Sequence, residues 1–176
     1  EELLSFSRVS RPGIVFEKLD MNDMLREITE VLGAQIRREV AQLEVGKIPH
    51  VRGEHSQVKR MMQNLISNAI KFHQPGKKPV VEITARVMRS TQVGEEFHFQ
   101  TLRPEYLRIE VKDNGIGFEE KHKEKIFNIF QRLHGRAEYE GTGIGLAICR
   151  KIAINHGGLI SARSTVGVGS EFIVIL

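Results

Sequence analysis

Within residues 56–72 the apolar side chains Val58, Met61, Met62, Leu65, Ile66, Ala69 and Ile70 return every three or four positions, which writes one long amphipathic helix. The strand-rich segments after that helix constrain the fold most. Residues 80–88 and 106–112 are both β-rich and come in succession, joined by a polar connection, so the simplest pairing is an antiparallel hairpin. A further helical pattern opens at the turn 141–145, runs to about Asn155 and is closed by Gly157-Gly158. Residues 159–165 and 170–176, separated by Val166-Gly167-Val168-Gly169, read as a terminal hairpin. Upstream, residues 14–19 alternate like a short strand and Asp20 is placed to cap a helix. Met24, Leu25, Ile28, Val31, Leu32 and Ile36 then carry helical spacing, and a short strand comes next, around residues 43–45. Strands in runs exclude the strict βαβ alternation of a doubly wound sheet. The chain is therefore expected to be α+β: a two-layer α/β sandwich with a mixed, mostly antiparallel sheet and about three helices on one face.

Composition agrees with one core. A chain of 176 residues with 40% hydrophobic and 27% charged side chains can bury that core and is neither disordered nor of low complexity. Lys and Arg number 26 against 22 Asp and Glu, a mild +4 without any block of like charge, so nucleic acid is not expected as a partner and a small polyanion suits the balance as well. The lone Cys149 excludes an internal disulfide and a multi-thiolate zinc site; in its apolar run it reads as a small core residue in a reducing compartment. No stretch approaches the ~18 continuous apolar residues of a membrane span, and Glu1-Glu2 lacks the layout of a signal peptide, so any membrane segment is expected outside this sequence.

Three clusters carry chemistry. Asn64, Asn68 and Lys71 are spaced i, i+4, i+7 and share a helix stripe away from much of the apolar set; asparagine is a poor helix former. The stripe suits amide oxygens offered to a hard cation and an ammonium offered to phosphate, although this helix alone reads first as an ordinary solvated face. Asp113-Asn114-Gly115-Ile116-Gly117 ends a strand, where a carboxylate can accept a hydrogen bond from an exocyclic amine, although Asp-Asn-Gly is also common turn chemistry. Gly141-Thr142-Gly143-Ile144-Gly145-Leu146 opens a helix, whose free N–H groups and positive dipole end can cradle phosphate oxygens. It matches neither the GxGxxG dinucleotide fingerprint nor a P-loop, because no GK[ST] ending appears.

Taken in order, QNLISNAIKF, VKDNGIGF, KIFNIFQRL and GTGIGLAI have the sequence and approximate spacing of the N, G1, F and G2 boxes. From about residue 16 to residue 176 the chain resembles the ATP-binding domain of sensor histidine kinases, in the superfamily of gyrase, heat-shock chaperone and mismatch-repair ATPases. The resemblance implies ATP and Mg as cofactors. It implies Asn68 as the magnesium ligand, Lys71 and Arg132 as phosphate-directed cations, and Asp113 as the reader of adenine, with Gly115 and Gly117 allowing close approach. Asn64 occupies the place of the catalytic carboxylate of the ATP hydrolases, so that Asn64, Lys71 and Arg132 form the catalytic set. An amide cannot act as a carboxylate base, which suits transfer better than hydrolysis. Phe127 and Phe130 match the F box that seats a nucleotide lid, here residues 133–140. Gly141, Thr142, Gly143, Gly145 and Leu146 would face the phosphates, and Ser170 would support Asp113 through its hydroxyl or a water. The chain departs from the pattern at Gly53-Glu54-His55 and at His73, which reads as a helix-end histidine without a catalytic role.

None of the seven histidines is followed by an acidic residue in an amphipathic helix, as the family's phosphate acceptor is. EELLSFSRVSR resembles the tail of a dimerisation helix. Residues 1–12 are accordingly expected to be its remnant, and residues 13–176 the catalytic domain. The implied activity is a protein-histidine kinase transferring the γ-phosphoryl of ATP to a histidine on a dimerisation module absent from this sequence, for relay to a response-regulator aspartate. The implied setting is cytoplasmic, with homodimerisation in the full-length protein. Two rivals remain open: a gyrase- or chaperone-type hydrolase, and a nucleotide-binding interaction module without catalysis.

Overall fold

The computed structural model describes residues 15–133, 139 and 142–176. The dimerisation-helix expectation for residues 1–12, Gly141 and most of the 133–140 lid lie outside the described residues.

Strand β1 (Glu17–Leu19) leads into helix α1 (Met21–Val31), whose first turn is capped by Asp20: its side chain accepts from the N–H groups of Asn22 and Asp23 at 2.9 and 3.2 Å. The helix expected to run unbroken through Ile36 is instead two. Leu32 leaves helical geometry at ψ 2°, next to Gly33, the weakest helix former short of proline, and α2 (Gly33–Glu39) continues from there. Strand β2 (Gln42–Val45) and a short β3 (Val51–Gly53), which the sequence did not announce, precede helix α3 (His55–Lys71). Glu54 caps α3 by accepting from the N–H groups of Ser56 and Gln57. Then come β4 (Val80–Arg89), α4 (Ser90–Phe97), β5 (Glu105–Asp113), α5 (Gly145–Asn155), β6 (Leu159–Thr165) and β7 (Gly169–Ile175).

β1 and β3 form an antiparallel ribbon, and the main sheet runs β2-β4-β5-β7-β6. Among the described residues its sole parallel pair is β2 with β4; the two expected hairpins, β4 with β5 and β6 with β7, are antiparallel. Period-two alternation sorts the side chains. Leu107, Ile109 and Val111 of β5 join Phe172 and Val174 of β7 in the main core with α1, α3 and α5. Tyr106, Ile173 and Ile175 form a second cluster on the opposite face, closed by Val93 and Phe97 of α4. The same parity delivers Asp113 to the helical side.

α4 lies in the connection that read as polar and featureless. It is held by Val93 and by the buried Arg108, whose guanidinium pairs with Glu96 at 2.5 Å and with Glu110. The sandwich therefore carries its three expected helices, the first of them broken into α1 and α2, on one face and a small extra helix on the other. Among the described residues, no helix is long and apolar enough to cross a membrane.

Candidate nucleotide site

Burial of Val58, Met61, Met62, Leu65, Ile66, Ala69 and Ile70 against the sheet turns the opposite edge of α3 outward. There Asn64, Asn68 and Lys71 line a cavity of about 290 Å³ shared with Asp113 at the end of β5, Gly117 in the loop beyond it, Ser170 of β7, Thr142, Gly143, Gly145 and Leu146 around the start of α5, and Arg132. The polar stripe, the strand-end carboxylate and the glycine turn thus converge on one site.

Asp113 is 8% exposed, and Oδ1 accepts from the N–H groups of Gly115 at 2.8 Å and Ser170 at 3.1 Å. Burial pushes its pKa from 3.8 up to about 6, against the two N–H bonds that pull it down. Both protein bonds land on Oδ1. A carboxylate so held offers its other oxygen to a donor arriving in the cavity. Ser170 supports it through the backbone; its hydroxyl stands instead 3.2 Å from that of Ser164. At Gly117 the close neighbour is the chain's own backbone: φ is +63°, and a Cβ there would sit 2.1 Å from the Thr165 carbonyl oxygen.

The start of α5 is left open. Ile144 stands at its N-cap with no side-chain bond, whereas carboxylates cap α1 and α3. Uncapped N–H groups facing a cavity are anion donors. Asn64 Nδ2 donates to the Gly145 carbonyl at 3.3 Å and so ties α3 to this opening. Gly145 has room to spare, a Cβ there lying 3.7 Å from Asn64.

An aromatic wall was not anticipated. Phe72 and Tyr139 both line the cavity with ring centroids 4.9 Å apart, and Tyr139 Oη donates to the His73 carbonyl at 3.3 Å. Lys71 Nζ stands 4.2 Å from the Phe72 ring centroid, and Arg132 Nη2 donates to the Tyr139 carbonyl at 2.5 Å. Phe72 was in plain view as the residue after Lys71; Tyr139 sat in a segment read only for its polarity.

Three residues expected to bind cofactor do not line the cavity. Phe127 is 5% exposed in the core beneath it, and the Phe130 side chain is 61% exposed with its backbone at φ 63°. Gly115 acts through its N–H on Asp113 and through close packing, since a Cβ there would meet the Phe72 carbonyl at 2.3 Å. His73 pairs its Nδ1 with the Ile70 carbonyl at 3.0 Å and lies outside the cavity lining. Cys149 is fully buried, and burial pushes its thiol up to about 12, so it is the inert core residue its surroundings suggested.

With this geometry in place, comparison with known proteins is consistent at every level. The profile of the histidine kinase-, DNA gyrase B- and HSP90-like ATPases matches residues 53–176. Phytochrome-like protein Cph1 of Synechocystis sp. is 35% identical over 172 residues, which are 98% of this chain and 21% of that protein. The chain thus spans about a fifth of the length of the curated relatives it matches. Full-length ShkA, solved in complex with AMPPNP, shares the fold with a TM-score of 0.76 at 21% identity, over 99% of this chain and 34% of that one. The catalytic domain of histidine kinase ThkA, in a nucleotide-free form, aligns with a TM-score of 0.70 at 26% identity, over 92% of this chain and 95% of that one. The chain belongs to the histidine kinase-, DNA gyrase B- and HSP90-like ATPase family.

Proposed function

We propose that this chain is the ATP-binding catalytic domain of a two-component sensor histidine kinase. It transfers the γ-phosphoryl of ATP to a histidine on a dimerisation module, for relay to a response-regulator aspartate. The carrying observation is one cavity lined both by a carboxylate fit for an exocyclic amine and by amide, ammonium, guanidinium and uncapped N–H groups fit for phosphate. Asp113 takes the adenine amine, with Phe72 and Tyr139 available to cover the ring. Lys71 leaves the Phe72 face for phosphate, and Arg132, which lines the same cavity, adds a second positive group.

The residues fit a nucleotide-borne magnesium ion. Asn68 lines the cavity with no side-chain hydrogen bond among the described residues, and one neutral oxygen suits Mg²⁺, which takes few protein ligands and fills the rest with phosphate and water. Bound there, Mg²⁺ would neutralise charge on the triphosphate oxygens.

In the transfer itself the acceptor imidazole nitrogen attacks the γ-phosphorus in line. The N–P bond forms as the bond to the β,γ-bridging oxygen breaks, and ADP departs with that electron pair. The chain supplies placement and charge. Asn64 cannot take a proton from water, and its amide is engaged with the Gly145 carbonyl, so it does not serve as the base of a hydrolase. ATP as substrate puts the chain in the cytoplasm, and the module that carries the acceptor would bring two copies together.

The test mixes this chain, ATP and magnesium with a separate dimerisation module containing the acceptor histidine. Acid-labile phosphoprotein on the module is the expected result. Steady ATP turnover by the chain alone that falls in Asn64→Ala, with no phosphoprotein, would restore the hydrolase reading.

A further inference from the structure

Gln74, just past the end of α3, belongs to none of the motif boxes and does not line the nucleotide cavity. Its Nε2 lies 3.2 Å from the Asn114 carbonyl oxygen, 3.0 Å from that of Gly115 and 2.9 Å from that of Gly167. A side-chain amide nitrogen has two hydrogens, so three carbonyls share them. Two belong to the loop after β5 and one to the turn between β6 and β7. These are the two segments that hold Asp113: the Gly115 N–H comes from the first, and the Ser170 N–H lies just beyond the second.

The backbones are pressed together around this point. Ile116 N–H donates to the Phe72 carbonyl at 2.9 Å, and Gly167 N–H to the Ile116 carbonyl at 2.7 Å. A Cβ on Gly169 would stand 1.9 Å from the Asp113 carbonyl oxygen. Packing this close turns carbonyl oxygens toward one another, and a donor must sit among them. Gln74 is that donor, reaching in from just past the end of the helix that carries Asn64, Asn68 and Lys71.

We propose that Gln74 is the positioning residue for base recognition. It fixes the two loops whose N–H groups orient the Asp113 carboxylate, and so sets the preference for a base presenting an amine donor, as adenine does, over one presenting a carbonyl acceptor at the same edge, as guanine does. This rests on the reading of Asp113 as the adenine contact.

The test measures affinity of the full chain for Mg-ATP, Mg-GTP and Mg-tripolyphosphate by calorimetry in the parent, Gln74→Ala, Gln74→Glu, Gln74→Lys and Asp113→Asn. Gln74→Ala should weaken ATP by roughly tenfold, the worth of one or two lost hydrogen bonds, and leave tripolyphosphate unchanged. Gln74→Glu, an acceptor set among acceptors, should lose at least as much of the ATP-over-GTP preference, and Gln74→Lys should recover much of it. Gln74→Met, which keeps the length without the donor, carries the same expectation and replaces the alanine variant should that one not fold. Equal losses for ATP and tripolyphosphate would reduce Gln74 to a general structural role and overturn the proposal. A selective parent whose selectivity survives in Gln74→Ala and Gln74→Met overturns it alone. A parent that binds ATP and GTP alike overturns the Asp113 reading, and the Gln74 proposal with it.

Discussion

Asp113 sets ligand recognition against stability, and the substitution Asp113→Asn separates the two. Burial raises its pKa from 3.8 to about 6 in the folded chain. Between those values the unfolded chain has already released the proton that the folded chain still holds, so stability falls as pH rises through this window and stays low above it. A displacement of about two pH units corresponds to about 3 kcal/mol, an upper figure that access of solvent through the cavity reduces. Asparagine is neutral at every pH and keeps an oxygen for the N–H groups of Gly115 and Ser170. At pH 8 the variant should therefore be more stable than the parent by up to about 3 kcal/mol, and near pH 4 the difference should vanish. Nucleotide affinity should move the other way. With its oxygen engaged by Gly115 and Ser170, the variant's Nδ2 occupies the place of Oδ2 and presents a donor to the donor amine of adenine, at a cost of roughly tenfold or more. Urea unfolding across the pH range, with and without Mg-ATP, reads both effects. A variant less stable than the parent at pH 8 would refute the reasoning, because it would mean that the carboxylate is fully compensated in the empty cavity.

Asn68→Ala should abolish the gain in ATP affinity that magnesium gives, so that titrations with magnesium and with a chelator coincide, while the melting temperature stays close to that of the parent. Gly117→Ala should lose more than about 3 kcal/mol of stability, because its positive φ and the Thr165 carbonyl leave a Cβ no space, whereas Gly145→Ala should shift stability by less than about 1 kcal/mol. Thermal melts of the two variants decide this contrast. His156 is fully buried, its Nδ1 paired with the Ile152 carbonyl at 2.8 Å and its Nε2 accepting the Glu54 N–H at 3.0 Å; burial lowers its pKa below 6.5. The unfolded chain therefore binds a proton that the folded chain resists, and stability should fall as pH drops below 6.5. His156→Leu should be less stable at neutral pH and should flatten that acid slope, as denaturant titrations at several pH values would show.

Asn64, Asn68 and Lys71 were legible because a helix has one period: the apolar set fixes which edge is buried, and the polar stripe is what remains. Asp113 was legible for the same kind of reason, since strand parity sends it to the face of Leu107, Ile109 and Val111. Features that depend on long-range approach were not. Gln74 touches carbonyls 40, 41 and 93 residues away, and nothing in the local pattern of Gln74-Pro75-Gly76 distinguishes it from a helix end leading into a turn. Tyr139 meets Phe72 across 67 residues for the same reason. α4 hides because Val93 and Phe97 are too few to write a helical period, and its anchor, Arg108, lies on a different element.

Asn64, Asn68, Lys71 and Asp113, legible in the sequence, are groups a ligand would touch, whereas Gln74, which the sequence hides, holds such groups in place. The difference lies in how each kind is encoded. A contact residue needs a particular chemistry at a particular phase of its own helix or strand, which a short window displays. A supporting residue needs only to reach carbonyls or rings delivered by other segments, so its chemistry is generic and its address is three-dimensional. In a site assembled from the edge of α3, the end of β5, the first half of β7 and the uncapped start of α5, no one segment can orient the Asp113 carboxylate. Groups such as Gln74, which bind the segments to one another, carry that task.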